Sequence, residues 1–369
     1  MTAPPAPQPA AGRHGDGVAP TARAPRTVRL CLLGFGHVAR ALCDLLARQE
    51  SVLAQRHGLR LLVSAVGTRH GSLVHPEGLT PAEVLAAIGR APAPPGPHRP
   101  PAELLGASGA DVLVELTVME QDFAPQATGH MELAFVLGMD VVTANKGPIA
   151  WNWRRLAAAA AAARRRVRFE STVMDGLPVF SLLELTLPDC RLLGFEAVFN
   201  ATTNFIIDAM AEGRSFAEGL AHARAEGFAE ADPAHDIDGW DAACKAAALA
   251  NVAMDADMTP ADVDRQSLRD VPHEQIAAAR AAGRRLRLVT SVWQEQPSGA
   301  THPAGRVRAR VRAEELDIDH PLASVSGESL GAVLHTDLMA DVVVCERHAL
   351  VPQTAYGVYA DLVHLCRTG

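Results

Sequence analysis

Apolar and polar positions first fall into a regular pattern at Val28-Arg29-Leu30-Cys31-Leu32-Leu33, a short apolar run of the kind a buried strand uses. A glycine turn, Gly34-Phe35-Gly36-His37-Val38-Ala39, follows at once, and the apolar spacing becomes helical through Val38, Leu42, Leu45 and Leu46. A second strand is expected over about 59–66, running into Gly67-Thr68-Arg69-His70-Gly71. After a Pro-rich loop at 90–101 come a strand over 111–117, a helix over about 126–137, and a strand from Asp140. That last strand ends in the polar loop Thr143-Ala144-Asn145-Lys146-Gly147-Pro148. Strands alternating with helices of this length predict an α/β fold with a doubly wound parallel sheet. Ligands of such sheets sit at the carboxyl ends of the strands, where Thr117 and Thr143 to Lys146 would cluster.

Further along, the alanine-rich stretch 156–166 reads as a helix, and 169–178 as a strand running into a turn and then a helix. A strand is expected over 192–199, followed by a helix that Asn200-Ala201-Thr202-Thr203-Asn204 opens with N-cap residues. Asp238 reads as the N-cap of a helix from Gly239 through Asn251, and 356–366 as a terminal helix. Residues 1–26 are rich in Ala, Pro and Gly, show no periodicity and lack the apolar centre of a secretion signal. They read as a disordered tail.

Composition narrows the function classes. A chain of 369 residues with 48% apolar content can bury a large core, and its length points to two domains or one elaborated domain. A net charge of −8 argues against a nucleic-acid partner. No apolar run is long enough to span a membrane. The six cysteines lack any Cys-x-x-Cys spacing and read as buried, reduced thiols of a cytoplasmic protein. The fifteen histidines fall into no ligand spacing, so no zinc site is expected.

Two stretches carry chemistry. In Gly34-x-Gly36-x-x-Ala39 the first glycine permits a tight turn, the second lets a pyrophosphate approach the backbone, and Ala39 allows close helix–sheet packing. The phosphates would meet the free N–H groups at the start of the helix, around His37 and Val38. Where NAD-binding versions carry an acid after the second strand, this chain has Arg69, which suits the 2′-phosphate of NADP.

The second stretch runs from Glu230 to Lys245 and holds five carboxylates ahead of an apolar helix. Only two of the chain's 34 Lys+Arg residues are lysines, Lys146 and Lys245. A lysine that survives such an arginine bias marks a place where a compact, deprotonatable amine is needed. Asp241 and Lys245 stand at i, i+4 on one helix face, which by itself fits an exposed ion pair as well as a catalytic one. Asp236-Ile237-Asp238-Gly239 resembles the core of a calcium loop, but its twelfth position would be Lys245, so calcium is rejected. What remains is a pocket where acids orient a cationic substrate and a lysine handles a proton.

These residues together resemble the homoserine dehydrogenases, which interconvert L-homoserine and L-aspartate 4-semialdehyde. The resemblance covers nearly all of 28–366. It rests on Gly-Phe-Gly-x-Val-Ala, Val-Val-Thr-Ala-Asn-Lys-Gly-Pro, Asn-x-Thr-Thr-Asn and Glu230-Ala-Asp-Pro…Asp-x-Asp-Gly-x-Asp-Ala-Ala-x-Lys245. It implies a Rossmann-type nucleotide-binding domain over 27–150, a second α+β catalytic and dimerisation domain over 151–340, and a segment, 341–369, that returns to the first. It implies Lys245 and Lys146 as catalytic, Glu230 and Asp241 as substrate-binding, and Thr117, Asn145 and Lys146 beside the nicotinamide of NADP or NAD. It further implies a homodimer, a role in threonine and methionine biosynthesis, and a sodium ion at Glu170, Val173, Asp175 and Leu177. The chain differs from the family at Met174-Asp175-Gly176, at Ala201 and over 345–352, and it stops without an ACT domain. Two other readings are a relative acting on a different amino-aldehyde and a non-catalytic regulatory protein on the same scaffold.

Overall fold

The computed structural model describes residues 24–91, 93–120, 122–229, 232–295 and 306–367. All but the last three residues of the expected tail 1–26, and Glu230, lie outside them; Arg26 already belongs to a strand. The first sheet contains β1 (Arg26–Leu33), β2 (Leu59–Thr68), β3 (Gly71–Leu79), β4 (Val112–Glu115), β5 (Asp140–Thr143) and β6 (Val167–Arg168). Their order is β3-β2-β1-β4-β5-β6, parallel throughout except for β3. The parallel strands are buried on both faces, which is why they read as continuous apolar runs. The edge strand β3 was not foreseen: it is only partly buried and carries Pro76 and Gly78, which an edge tolerates.

Three helices of this half position the site. α1 (His37–Arg48) buries Ala39, Leu42, Cys43 and Leu46, one stripe at helical spacing. α2 (Pro125–Val136) falls close to expectation. α3 (Lys146–Ala163) starts well ahead of the expected Leu156 and is kinked at Asn152, whose Nδ2 donates to the Phe123 carbonyl and to Thr128 Oγ1.

The second sheet holds β7 (Leu192–Val198), β8 (Asp264–Arg265), β9 (Arg285–Gln294), β10 (Val307–Leu316), β11 (Leu330–Thr336) and β12 (Asp341–Glu346), ordered β12-β11-β7-β9-β10-β8. With it pack α4 (Ala201–Ala211), α5 (Trp240–Met254) and α6 (His273–Ala281). α5 is buried from Asp241 to Asn251 with the single exception of Lys245. Its alanines make that possible, because small side chains let α3 and the strands approach the helix from several sides. A last helix, α7 (Val351–Arg367), begins earlier than expected and buries Ala355, Val358 and Leu362 against Phe35, Ala39 and Leu42 of the first half.

Three expectations need correction. The segment 169–178 contains no strand: Glu170–Thr172 forms a 3-10 turn, because the Glu170 carboxylate accepts the N–H groups of Phe180 and Ser181 (both 2.8 Å) and folds the chain back. Asp238 does not cap α5. Gly239 holds that position at φ +74°, and the Asp238 carboxylate instead accepts from Ser267 Oγ (2.7 Å). Four of the cysteines are buried, but Cys190 is half-buried and Cys345 exposed.

Asp361 on α7 gives a pH prediction. It is 2% exposed, and burial pushes its carboxyl up to about 8, although the Glu170 N–H it accepts (2.7 Å) pulls the other way. An acid whose folded value exceeds its unfolded value of about 3.9 contributes fully below that pH, and the contribution is lost as pH rises through about 8. Asp361→Asn keeps an acceptor and cannot ionise. Its thermal midpoint should therefore fall less than that of the native chain between about pH 5 and 8; parallel melting curves would exclude Asp361 as the titrating group.

Candidate active site

The expected nucleotide end of the site falls where β1 and β4 run side by side and the connections leave in opposite directions, the kind of switch point at which such sheets bind ligands. Gly34 has φ +91°, and a Cβ there would stand 2.2 Å from the Leu116 carbonyl oxygen, so only glycine fits beside the end of β4. A Cβ on Gly36 would meet nothing within 4 Å: the space before the start of α1 is open. Gly36 caps α1 without a side chain, and no acid occupies the first turn, so the N–H groups around His37 and Val38 remain available to an anion. His37 is exposed and Ala39 buried. These features fit a dinucleotide pyrophosphate. Gly34 N–H donates to the Gly67 carbonyl (2.9 Å), which places exposed Arg69 just beyond the adjacent strand end, its Nε on His70 Nε2 (2.9 Å).

Thr117 follows β4 and Asn145 follows β5, and the structure joins them: Asn145 Nδ2 donates to the Thr117 carbonyl (3.3 Å). Asn145 also caps α3, its Oδ1 accepting from Gly147 N–H (3.1 Å). Both loops are organised by a residue not anticipated, Glu115. Fully buried, it takes the Thr117 hydroxyl on its carboxylate and the Thr143 hydroxyl on its backbone carbonyl (3.0 Å), with His130 Nδ1 at 3.6 Å. An acid inside the apolar run of β4 was the available signal, because buried charges need dedicated partners.

Lys146, the first residue of α3, leads from this row into the second half. Its Nζ lies 3.0 Å from Asp241 Oδ1, while Lys245 Nζ lies 3.1 Å from Asp241 Oδ2 and donates to the Phe199 carbonyl (2.7 Å). One buried carboxylate thus bridges the chain's two lysines. This is not a surface ion pair, since Asp241 is 7% exposed. Asn200, the N-cap of α4, donates through Nδ2 to Asp241 Oδ2 (3.0 Å) and to Asp236 Oδ1 (2.8 Å), and Thr202 Oγ1 donates to Asp236 Oδ2 (2.9 Å). A cavity of about 190 Å³ opens here, lined by Asp236, Asp241, Lys245, Asn200, Thr202 and Asp175 among others. The motifs holding Asn200, Thr202 and Asp236 are visible along the chain, but the contacts that join these three side chains are not.

Charge follows from this packing. Burial alone would raise the Asp241 carboxyl, but the Lys245 and Lys146 ammonium groups reverse that and hold it far below the carboxylate range. Asp236 is raised by burial and by the Asp241 charge. Burial draws Lys146 downward, yet Asp241, assisted by Cys244 and Asp236, more than compensates and leaves its ammonium above the ordinary value. Depression by burial is therefore outweighed at Lys146, because the carboxylate stands directly against its amine.

Among the described residues, one trio of metal-ligating type comes together: His235, Asp236 and Asp241. Asp241 already serves two ammonium groups there, so a metal would have to compete with them. The residues expected around sodium are engaged otherwise. Glu170 caps Phe180 and Ser181, Asp175 Oδ1 accepts from Thr354 (2.8 Å), and the Leu177 carbonyl accepts from Val179 N–H (2.9 Å). Val173 is buried beside them. We assign no cation there.

A nucleotide-binding parallel sheet joined to a second domain that encloses two lysines on one carboxylate defines a two-domain α/β protein of the dinucleotide-dependent oxidoreductase kind. Comparison with known proteins narrows this further. Residues 34–170 match the family model described as homoserine dehydrogenase, NAD binding domain, and residues 178–363 match the homoserine dehydrogenase model. The chain belongs to the homoserine dehydrogenase family. It is 33% identical over 351 residues to the NAD(+)-dependent homoserine dehydrogenase of Pseudomonas canavaninivorans, covering 91% of this chain and 96% of that one. It is 30% identical over 343 residues to the homoserine dehydrogenase of Mycobacterium tuberculosis, covering 93% and 73%. Among solved structures, the enzyme of Thermoplasma acidophilum superposes with a TM-score of 0.78 at 26% identity, covering 92% and 99%. A hyperthermophilic archaeal homoserine dehydrogenase in complex with NADPH superposes with 0.77 at 27% identity, covering 92% and 98%.

Proposed function

We propose that this protein interconverts L-homoserine and L-aspartate 4-semialdehyde by hydride transfer with a nicotinamide dinucleotide, NADP in preference to NAD. The observation that carries the reading is the pair of lysines held on Asp241 at a small acidic cavity, one residue from the Asn145–Thr117 row that borders the nucleotide end. The bound cofactor would supply the hydride acceptor in oxidation and the hydride in reduction. The chain's own part is to hold the alcohol carbon and give its proton a destination. Lys146, kept as an ammonium by Asp241, polarises the substrate oxygen, while Lys245 takes the hydroxyl proton as the free amine in oxidation and returns it as the ammonium in reduction. Asp236, with Glu230, holds the substrate ammonium, and Asn200 keeps Asp236 and Asp241 in register.

We assign the nucleotide to the first sheet, and Lys245 with the substrate acids to the second half, with Lys146 at their junction and α7 returning against α1. β6 and β12 extend the sheets past residues 150 and 340. We further infer a cytoplasmic homodimer serving aspartate-derived amino-acid biosynthesis. Trp293 and Val343, exposed on the outer face of the second sheet, favour pairing there.

Reduction of NADP by L-homoserine, followed at the nicotinamide absorbance and set against close amino-alcohol analogues, tests the substrate; turnover of an analogue alone would refute it. For the cofactor, the names of relatives point both ways, and Arg69 favours NADP. Arg69→Ala should lower kcat/KM for NADP about tenfold or more and leave NAD nearly unchanged, since it removes one charged contact. An NAD preference in the native chain that survives Arg69→Ala would refute the assignment.

A further inference from the structure

At the far end of α4 from the lysine cluster lies a second cavity, of about 480 Å³. Ile207, Ile276, Leu286 and Ile318 give it an apolar wall, and Arg280, Arg284, Arg285 and Arg287 converge on it. The acids around it are already matched. Asp208 pairs with Arg287 (2.9 Å) and accepts the Gly327 N–H (3.0 Å), Glu212 lies 3.5 Å from Arg214, and Arg284 is tied to Asp317 (3.0 Å) and Glu315 (3.6 Å). Arg280 and Arg285 have only backbone carbonyls as partners among the described residues, those of Ala211 and Arg284.

Arg287 is the decisive group. It is 3% exposed, and its Nη1 donates to Asp208 and to the Leu286 carbonyl (3.0 Å). Among the described residues its Nε is buried without a partner, and Nη2 has none either. A guanidinium stays charged even where burial lowers it, and unmatched buried donors call for an acceptor. A planar fork with free N–H groups fits a carboxylate, and the isoleucine wall fits an apolar body on the same molecule.

α4 also offers a path to the active site. Its 11 residues span about 16 Å. Ile207, Asp208 and Ala211 line this cavity, while Asn200 at the other end bonds both Asp236 and Asp241. We propose that the arginine cavity binds a small organic carboxylate with an apolar body, and that α4 transmits its occupancy to the acids of the substrate site. Binding there is independent of which alcohol the active site oxidises.

The test titrates the full chain calorimetrically with a branched-chain 2-oxo acid, with succinate and with inorganic phosphate. The 2-oxo acid should bind with a Kd of about 1 mM or tighter, and the other two about tenfold more weakly. Arg287→Lys preserves the charge facing Asp208 but loses the fork, and Arg280→Gln changes only the rim. Each should weaken binding about tenfold with the melting curve unchanged. Absence of binding, or binding that both variants leave intact, overturns the site. Phosphate binding as tightly as the 2-oxo acid overturns the carboxylate assignment. In the coupled assay, the 2-oxo acid should shift the homoserine KM at least about twofold in the native chain and not in Arg287→Lys. Binding that leaves this KM unmoved overturns the coupling through α4.

Discussion

Lys245→Arg should lower kcat by at least about a hundredfold while cofactor affinity and the thermal midpoint stay close to native. Arginine preserves the charge and could still pair with Asp241, which now lies 3.1 Å from Lys245 Nζ. A purely structural ion pair would therefore tolerate the change. Proton transfer would not, because a guanidinium remains protonated at any working pH. Arginine is also bulkier, and Lys245 lines a cavity of only about 190 Å³ while donating to the Phe199 carbonyl. Steady-state kinetics beside a cofactor-binding titration on one preparation separates the two. Near-normal turnover would make Lys245 structural and move the proton to a water, since Asp241 keeps Lys146 charged.

The parts of this site that could be read along the chain are those whose physical demand is local. Gly34 is legible because a tight turn against the end of β4 leaves no room for a Cβ, and α1 because its buried stripe repeats at helical spacing. The two lysines stand out only against 32 arginines, a compositional contrast that needs no structure. Asn200 shows where such reading stops. Its cap to Thr203 N–H (2.9 Å) is local and was anticipated, but the same side chain reaches acids 36 and 41 positions away. Glu115 and Arg287 were missed for a related reason: burial of a charged group is decided by neighbours distant in sequence. The sign of the Lys146 shift was equally hidden, because it depends on which amine the carboxylate stands between. Asp238 misled by being a good cap residue one position too early, where Gly239 supplies the required positive φ.

Asp241→Asn should be the more damaging substitution, because it removes the one group shared by both lysines and Asn200. An amide offers a single acceptor. Whichever way it turns, its NH₂ faces either Lys146 or the pair formed by Lys245 and Asn200, and donor then meets donor. Breaking a buried ion pair on one side typically costs about 3–5 kcal/mol, so the thermal midpoint should fall by several degrees as well as kcat/KM by about a thousandfold. The pH dependence distinguishes this cause from simple misfolding. In the native chain Asp241 is held far below the ordinary range, so its contribution is complete above the unfolded value of about 3.9 and is lost only as pH falls below that. Without the carboxylate, burial lowers the Lys146 ammonium instead of Asp241 raising it. The variant then suffers most where Lys146 must stay charged and recovers on the alkaline side as that ammonium gives up its proton. Thermal melts from about pH 5 to 10 should therefore show the gap between native and variant chains narrowing on the alkaline side. A gap that stays constant across that range would mean that Asp241 stabilises by packing alone, and that the two lysines do not share it as a counter-ion.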